Sequence, residues 1–219
     1  MIELILSGFL FLFILVLVLI MGALGYLLEN DDYDSDADLQ RINKAPNKFK
    51  ISFVLSLIHN GSVIALTILL FFAFSSYNLI LGIVLLIFRI GEGLILFYNE
   101  SNYWGFRDIA RKYSVSSGAE KKSLSELARN IFKTKNSKFK SAMVGWSIGT
   151  LAFSIVLVTS EVVPQIIGWL GIVASILIGF QYGLKLVKQS SKILNIFGAL
   201  FAILFEIIIG GWLLFSPLI

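Results

Sequence analysis

Apolar residues in this chain come in long unbroken runs. The runs recur six times: Leu4–Leu28, Ile51–Phe74, Leu79–Tyr98, Ala142–Val158, Pro164–Val187 and Ile193–Leu214. About 20 consecutive apolar residues, each rising ~1.5 Å, are enough to cross a ~30 Å hydrocarbon core. The pattern therefore predicts an all-α, polytopic integral membrane bundle of six transmembrane helices. Between the runs lie loops at about 29–50, 99–141 and 188–192, and two short turns at 75–78 and 159–163. No loop is long enough to form a soluble core of its own, so residues 1–219 are expected to form a single integral membrane domain. The first run is longer than an ordinary signal-peptide core and lacks a basic lead-in, which marks it as a retained helix.

The third loop has a pattern of its own. Phe106, Ile109, Ala110 and Tyr113 fall at helical spacing, and so do Leu124, Leu127, Ala128, Ile131 and Phe132. The second set opens with Ser123-Leu-Ser-Glu126, a capping-box pattern. These segments predict amphipathic interfacial helices that either lie at the headgroups or cap the bundle. Arg107, Arg111, Lys112, Arg129 and Lys133 on the polar faces are the candidates for contact with anionic lipid.

Charge then orients the bundle. Of the 18 lysines and arginines, four fall in the first loop, ten in the third and three in the segment joining the last two helices. The two short turns and both termini carry none. The positive-inside rule places loops 1, 3 and 5 in the cytoplasm and both termini outside, in a multi-pass protein of the cell membrane. The expected partners are the bilayer, with anionic lipid at the cytoplasmic face, and a second copy of the chain. No nucleic-acid partner is expected.

Composition narrows the chemistry. With no cysteine, the chain has no disulfide, thiolate metal site or cysteine nucleophile. One histidine, His59, rules out an all-histidine metal centre within one chain. In the acidic half of loop 1, Asp32, Asp34 and Asp36 match the first ligands of a calcium loop. Ala37 and Asn43 then stand where glycine and a bidentate glutamate are needed. These aspartates are weak metal candidates, and no cofactor is expected. Gly145-Trp-Ser-Ile-Gly149 fits a nucleophile-elbow pattern around Ser147. Inside an apolar helix, its G-x-x-x-G spacing reads first as close helix packing, repeated at Gly179 and Gly183.

Charges within the apolar runs are the main functional signal. A charged side chain at the bilayer centre costs about 2.5–3.5 kcal/mol on insertion scales. Arg89 and Glu92 are three residues apart in the third run, on one helical face. The turn at 75–78 makes the second and third helices antiparallel neighbours, which brings Glu92 level with Asn60 and near His59. Glu206 stands alone within the sixth run. The candidate polar centre is therefore His59, Asn60, Arg89, Glu92 and Glu206, serving as an ion or ligand pathway or as a structural lock.

Two stretches carry a family resemblance. Phe88-Arg89-Ile-Gly-Glu92 follows a polar-faced helix and a tight turn, and Ser160-Glu-Val-Val-Pro164-Gln-Ile-Ile-Gly168 leads into the fifth helix. Together they resemble the uncharacterised six-span prokaryotic membrane proteins grouped as domain of unknown function 4386. The resemblance implies a six-helix membrane protein with the Arg89/Glu92 element as a shared feature, and no established activity. The functional expectation is a small transporter, channel-like or sensory protein with an intramembrane polar centre. Its rivals are a structural or lipid-binding protein and an intramembrane enzyme. Nothing in the sequence marks a catalytic residue.

Overall fold

The computed structural model describes residues 2–26, 28–30 and 33–216. Eight helices carry them: α1 (Ile2–Ala23), α2 (Ser35–Lys44), α3 (Pro46–Phe74), α4 (Leu79–Tyr103), α5 (Phe106–Val115), α6 (Gly118–Ser160), α7 (Gln165–Leu186) and α8 (Lys192–Phe215). Among the described residues, six helices are long and apolar enough to cross a membrane: α1, α3, α4, α6, α7 and α8. The chain is a multi-pass membrane protein.

Local chemistry sets the helix ends. Pro46 opens α3 at a position where its missing N–H costs nothing. The Asn78 side chain accepts from the Leu81 amide at 3.1 Å and starts α4. Glu161, at a φ of 55°, ends α6 in a left-handed turn, and Pro164 lies just beyond it.

The two longer loops hold more helix than their composition announces. Loop 1 contains α2, whose N-cap is Asp34: one carboxylate oxygen accepts from the amides of Asp36 (3.0 Å) and Ala37 (3.1 Å). Acidic residues in its first turn and Arg41 and Lys44 in its last complement the helix dipole. In loop 3 the expected helix start at Ser123 is not one. The helix begins at Gly118 and runs without a break into the fourth span. No glycine or proline interrupts residues 119–144, so nothing stops the helix. Its 43 residues span ~65 Å, about twice a hydrocarbon core, so the front half projects beyond the bilayer.

Each spanning helix packs on the next one along the chain, and α8 closes back on α1, making a ring. One end of the ring is plugged by phenylalanines. Phe153 of α6 lies 5.3 Å from Phe74 of α3 and 6.5 Å from Phe11 of α1, ring centre to ring centre, and Phe11 lies 6.5 Å from Phe205 of α8. The other end is covered by a cap. There α2 and α5 pack on the front of α6 around a second apolar core that includes Leu39, Phe49, Tyr103, Phe106 and Phe132. Tyr33 stacks on Phe132 at 3.8 Å, and Asn136 clamps both backbone groups of Asn30. Plug and cap leave a hollow between them.

Candidate functional site

Arg89 and Glu92 lie on one face of α4, and the Arg89 Nη1 meets the Glu92 Oε2 at 2.6 Å. Both are buried. Small residues make room for the pair. On α6, a Cβ at Gly149 would lie 2.6 Å from the Arg89 Cγ, and one at Gly145 would lie 3.2 Å from the Phe88 carbonyl. On the other side, a Cβ at Gly93 would lie 2.6 Å from Ile64 of α3. The charged face of α4 is thus wedged between α3 and α6. Trp146 adds its indole ring, 5.8 Å from the Arg89 guanidinium carbon.

Asn60 and His59 of α3 complete this wall, with the His59 Nδ1 3.1 Å from the Asn60 Oδ1. Glu206 enters from α8. It is within electrostatic reach of Arg89 and Glu92. Among the described residues, however, the ion pair of Arg89 is with Glu92. All five candidate residues line one central cavity of about 210 Å³. Every spanning helix contributes to it, and most of the lining is apolar, including Ile14, Val18, Phe139, Met143 and Ile178.

Towards the cap the cavity ends in a second charged group, which sequence reasoning left in the loops. Glu100 is two turns beyond Glu92 on α4, ~12 Å by helical rise. The Tyr26 hydroxyl donates to its Oε1, and its buried Oε2 has no hydrogen-bond partner among the described residues. Burial, reinforced by the Glu100 charge, pushes the Tyr26 phenol well above its ordinary value, so it remains a donor. Lys135 of α6 is buried with its Nζ 3.9 Å from the Tyr26 ring centre and 3.7 Å from that of Tyr103. Asn99 fixes this turn by donating to the Lys135 carbonyl at 3.0 Å. One signal could have found Lys135: it continues the spacing of Ala128 and Phe132, so it shares their buried face.

The other candidates separate cleanly. Arg107, Arg111, Lys112, Arg129 and Lys133 are exposed. The apolar stripe beneath them turns inward: Phe106, Ala110, Tyr113, Ala128 and Phe132 are buried in the cap, and only Leu127 is left exposed. Asp34 is occupied as the α2 cap, Asp36 is exposed on its first turn, and Asp32 lies outside the described residues. Ser147 faces α7, where its Oγ donates to the Ser175 carbonyl at 2.8 Å beside Gly179. It is not among the residues lining the central cavity. Gly183, in contrast, has open space where a helix contact was expected. At the cap end of α6 and α7, Glu29 bridges Lys185 (2.8 Å) and Lys140 (3.7 Å) and accepts from the Tyr182 hydroxyl at 3.2 Å.

Residues 6–216, nearly the whole chain, match the family described as "Domain of unknown function (DUF4386)". No curated protein and no solved structure matches the chain.

Proposed function

We propose that this chain, which belongs to the DUF4386 family, is a solute-binding membrane protein of the carrier class whose substrate site is the central cavity. One observation carries the reading: one hollow is lined by all six spanning helices and holds Arg89, Glu92, Glu100, Lys135 and Glu206. A bundle that only needed to pack would fill that space, because interiors are close-packed and voids cost stability. The phenylalanine plug closes one end, which suits a carrier held in one of its access states rather than an open channel. The charge distribution supports an orientation with the cap in the cytoplasm and the plug towards the outside. It also supports anionic lipid around the cationic rim of the cap.

A second reading has its own observation. The 2.6 Å pair between Arg89 and Glu92, wedged against Gly149, is built like a lock between α4 and α6. The two readings apply to different groups: the pair sets the wall, and Glu206 faces the hollow.

The absence of native cysteine gives a clean test. Single cysteines are placed at Asn60 and Met143 in the cavity and at Leu70 beside the plug. A small, uncharged, membrane-permeant methanethiosulfonate reagent, which reacts only where water lets the thiol ionise, is then applied to each variant in vesicles. Rapid labelling at the first two positions and none at Leu70 supports a hydrated substrate cavity. Equal inertness at all three means a dry bundle and overturns the carrier reading.

A further inference from the structure

The charges lining the cavity do not balance. Among the described residues, three carboxylates line it, Glu92, Glu100 and Glu206, against two cations, Arg89 and Lys135. Glu92 is matched by Arg89 at 2.6 Å. Lys135 is the cation beside Glu100. Glu206 is the carboxylate left over, half-buried and lining the hollow. The charged and polar groups within its reach are Arg89 and Glu92 from α4 and the Trp146 indole from α6; His59 of α3 is on the same lining, and α7 presents Ile178 there. α1 presents only Ile14, Leu15, Val18 and Met21. A carboxylate in excess of the cavity's cations, in a largely desolvated site, calls for a cation or a proton.

A second observation points the same way. The Oε2 of Glu100 is buried and lacks a donor among the described residues. An unpartnered carboxylate oxygen at the cap end of the cavity adds to the negative potential that favours a cation in the hollow. Apart from Ser56, His59, Asn60 and Asn99, the rest of the lining is aliphatic and aromatic and suits an apolar body.

The route in is also visible. At the plug end α1 and α8 are pressed together: a Cβ at Gly8 would lie 2.6 Å from the Gly210 carbonyl. Towards the cap, α8 buries only Gly198 over its first three turns, and that residue packs against Gln181 and Ile178 of α7. Ile203 lines the cavity and is 47% exposed, and Leu15 and Val18 of α1, on the same lining, are half-buried. The seam between α1 and α8 therefore leads from the cap-side leaflet into the hollow.

We propose that the cavity takes a small lipophilic amine in its protonated form, admitted from the bilayer between α1 and α8, with its ammonium on Glu206 and its apolar body against the lining. This rests on the carrier reading and names its substrate class. The volume of about 210 Å³ lies below the ~300–1,000 Å³ of drug-sized sites, so the amine is a compact one.

The test uses the full chain in lipid nanodiscs, with empty nanodiscs as the blank. The probes are phenethylamine, its uncharged analogue 2-phenylethanol and the anion 3-phenylpropionate, followed by calorimetry. Saturable phenethylamine binding at least tenfold tighter than that of 2-phenylethanol, with none for the anion, is the expected result. Glu206→Gln should weaken the amine at least tenfold and leave 2-phenylethanol unchanged. Should that variant fail to fold, the wild type carries the test. Amine affinity should fall as pH is lowered, because protonation removes the carboxylate charge while the amine stays charged. Equal binding of amine and alcohol, preference for the anion, or pH-independent amine binding would each overturn the proposal. If no probe binds while cysteines at Asn60 and Met143 still label, the amine class is wrong and the cavity reading stands. If neither binding nor labelling occurs, both fall.

Discussion

Gly149 of α6 lies flat against the Arg89 side chain of α4, so close that a Cβ there would come within 2.6 Å of the Arg89 Cγ. A bulkier residue must push the guanidinium off Glu92 or push the two helices apart. Overpacking of this kind typically costs about 1–3 kcal/mol. Gly149→Val is expected to lower the thermal unfolding midpoint in mild detergent. Gly91→Ala and Gly183→Ala, where a Cβ meets nothing within 4 Å, should leave it unchanged or raise it. Equal losses at all three positions would mean that the close approach is not what matters.

The ion pair beneath that contact gives a separate expectation. Removing one partner of a buried pair leaves an uncompensated charge and typically costs about 3–5 kcal/mol, whereas replacing both with apolar groups is often neutral. Arg89→Met and Glu92→Leu should each destabilise strongly, and the double variant should recover most of the loss. Thermal unfolding of the four proteins, read as a double-mutant cycle, decides it. Additive losses would show that the two side chains do not act as a pair.

What the sequence made legible, and what it hid, follows from how local each signal is. Arg89 and Glu92 stand three apart in an apolar run, and a four-residue turn fixes the register of α3 against α4. These facts suffice to place His59 and Asn60 beside them. Glu206 is visible because nothing else in its run is charged. The closure of α8 on α1 leaves no local trace, since it joins the two ends of the chain through Gly8 and Gly210. Helix α2 is short and polar, with only Leu39 and Ile42 as buried apolar anchors, so it reads as a linker. The capping-box pattern at Ser123 is a local preference that the uninterrupted run of helix-forming residues on both sides overrides. Glu100 and Lys135 fall at span ends, where charge is usually solvated, and only the fold brings them to the same hollow.

The rim of the cap supplies a prediction about lipid. Arg107, Arg111, Lys112, Arg129 and Lys133 are exposed while the apolar stripe below them is spent on the cap core. Their contribution is therefore electrostatic and falls with salt. Reversing Arg129 and Lys133 to glutamate should reduce the anionic lipid that copurifies with the protein and leave its thermal midpoint unchanged. Lipid retention at wild-type levels would remove the rim from consideration as a lipid site.

Lys135 makes the sharpest contrast with its neighbours in the same stretch of α6. Its ammonium is enclosed by the rings of Tyr26 and Tyr103 and stands beside the Glu100 carboxylate, whereas Lys133, two residues earlier, is exposed. An ammonium over two aromatic faces in a desolvated site gains from each, and its removal takes away the cation that stands beside the buried Glu100. Lys135→Met is expected to destabilise by several kcal/mol, on the order of the loss from breaking any buried pair. Lys133→Met should be silent. Lys135→Arg should not restore stability, because a planar guanidinium does not fill a cage shaped around a compact ammonium. Pairing Lys135→Met with Glu100→Gln should recover part of the loss, since the buried carboxylate is then neutral. The measurement is thermal unfolding of all five proteins in one detergent. A Lys135→Met variant as stable as wild type would show that the cap end of the cavity tolerates a lone carboxylate, and Glu100 would then join Glu206 as an unmatched charge.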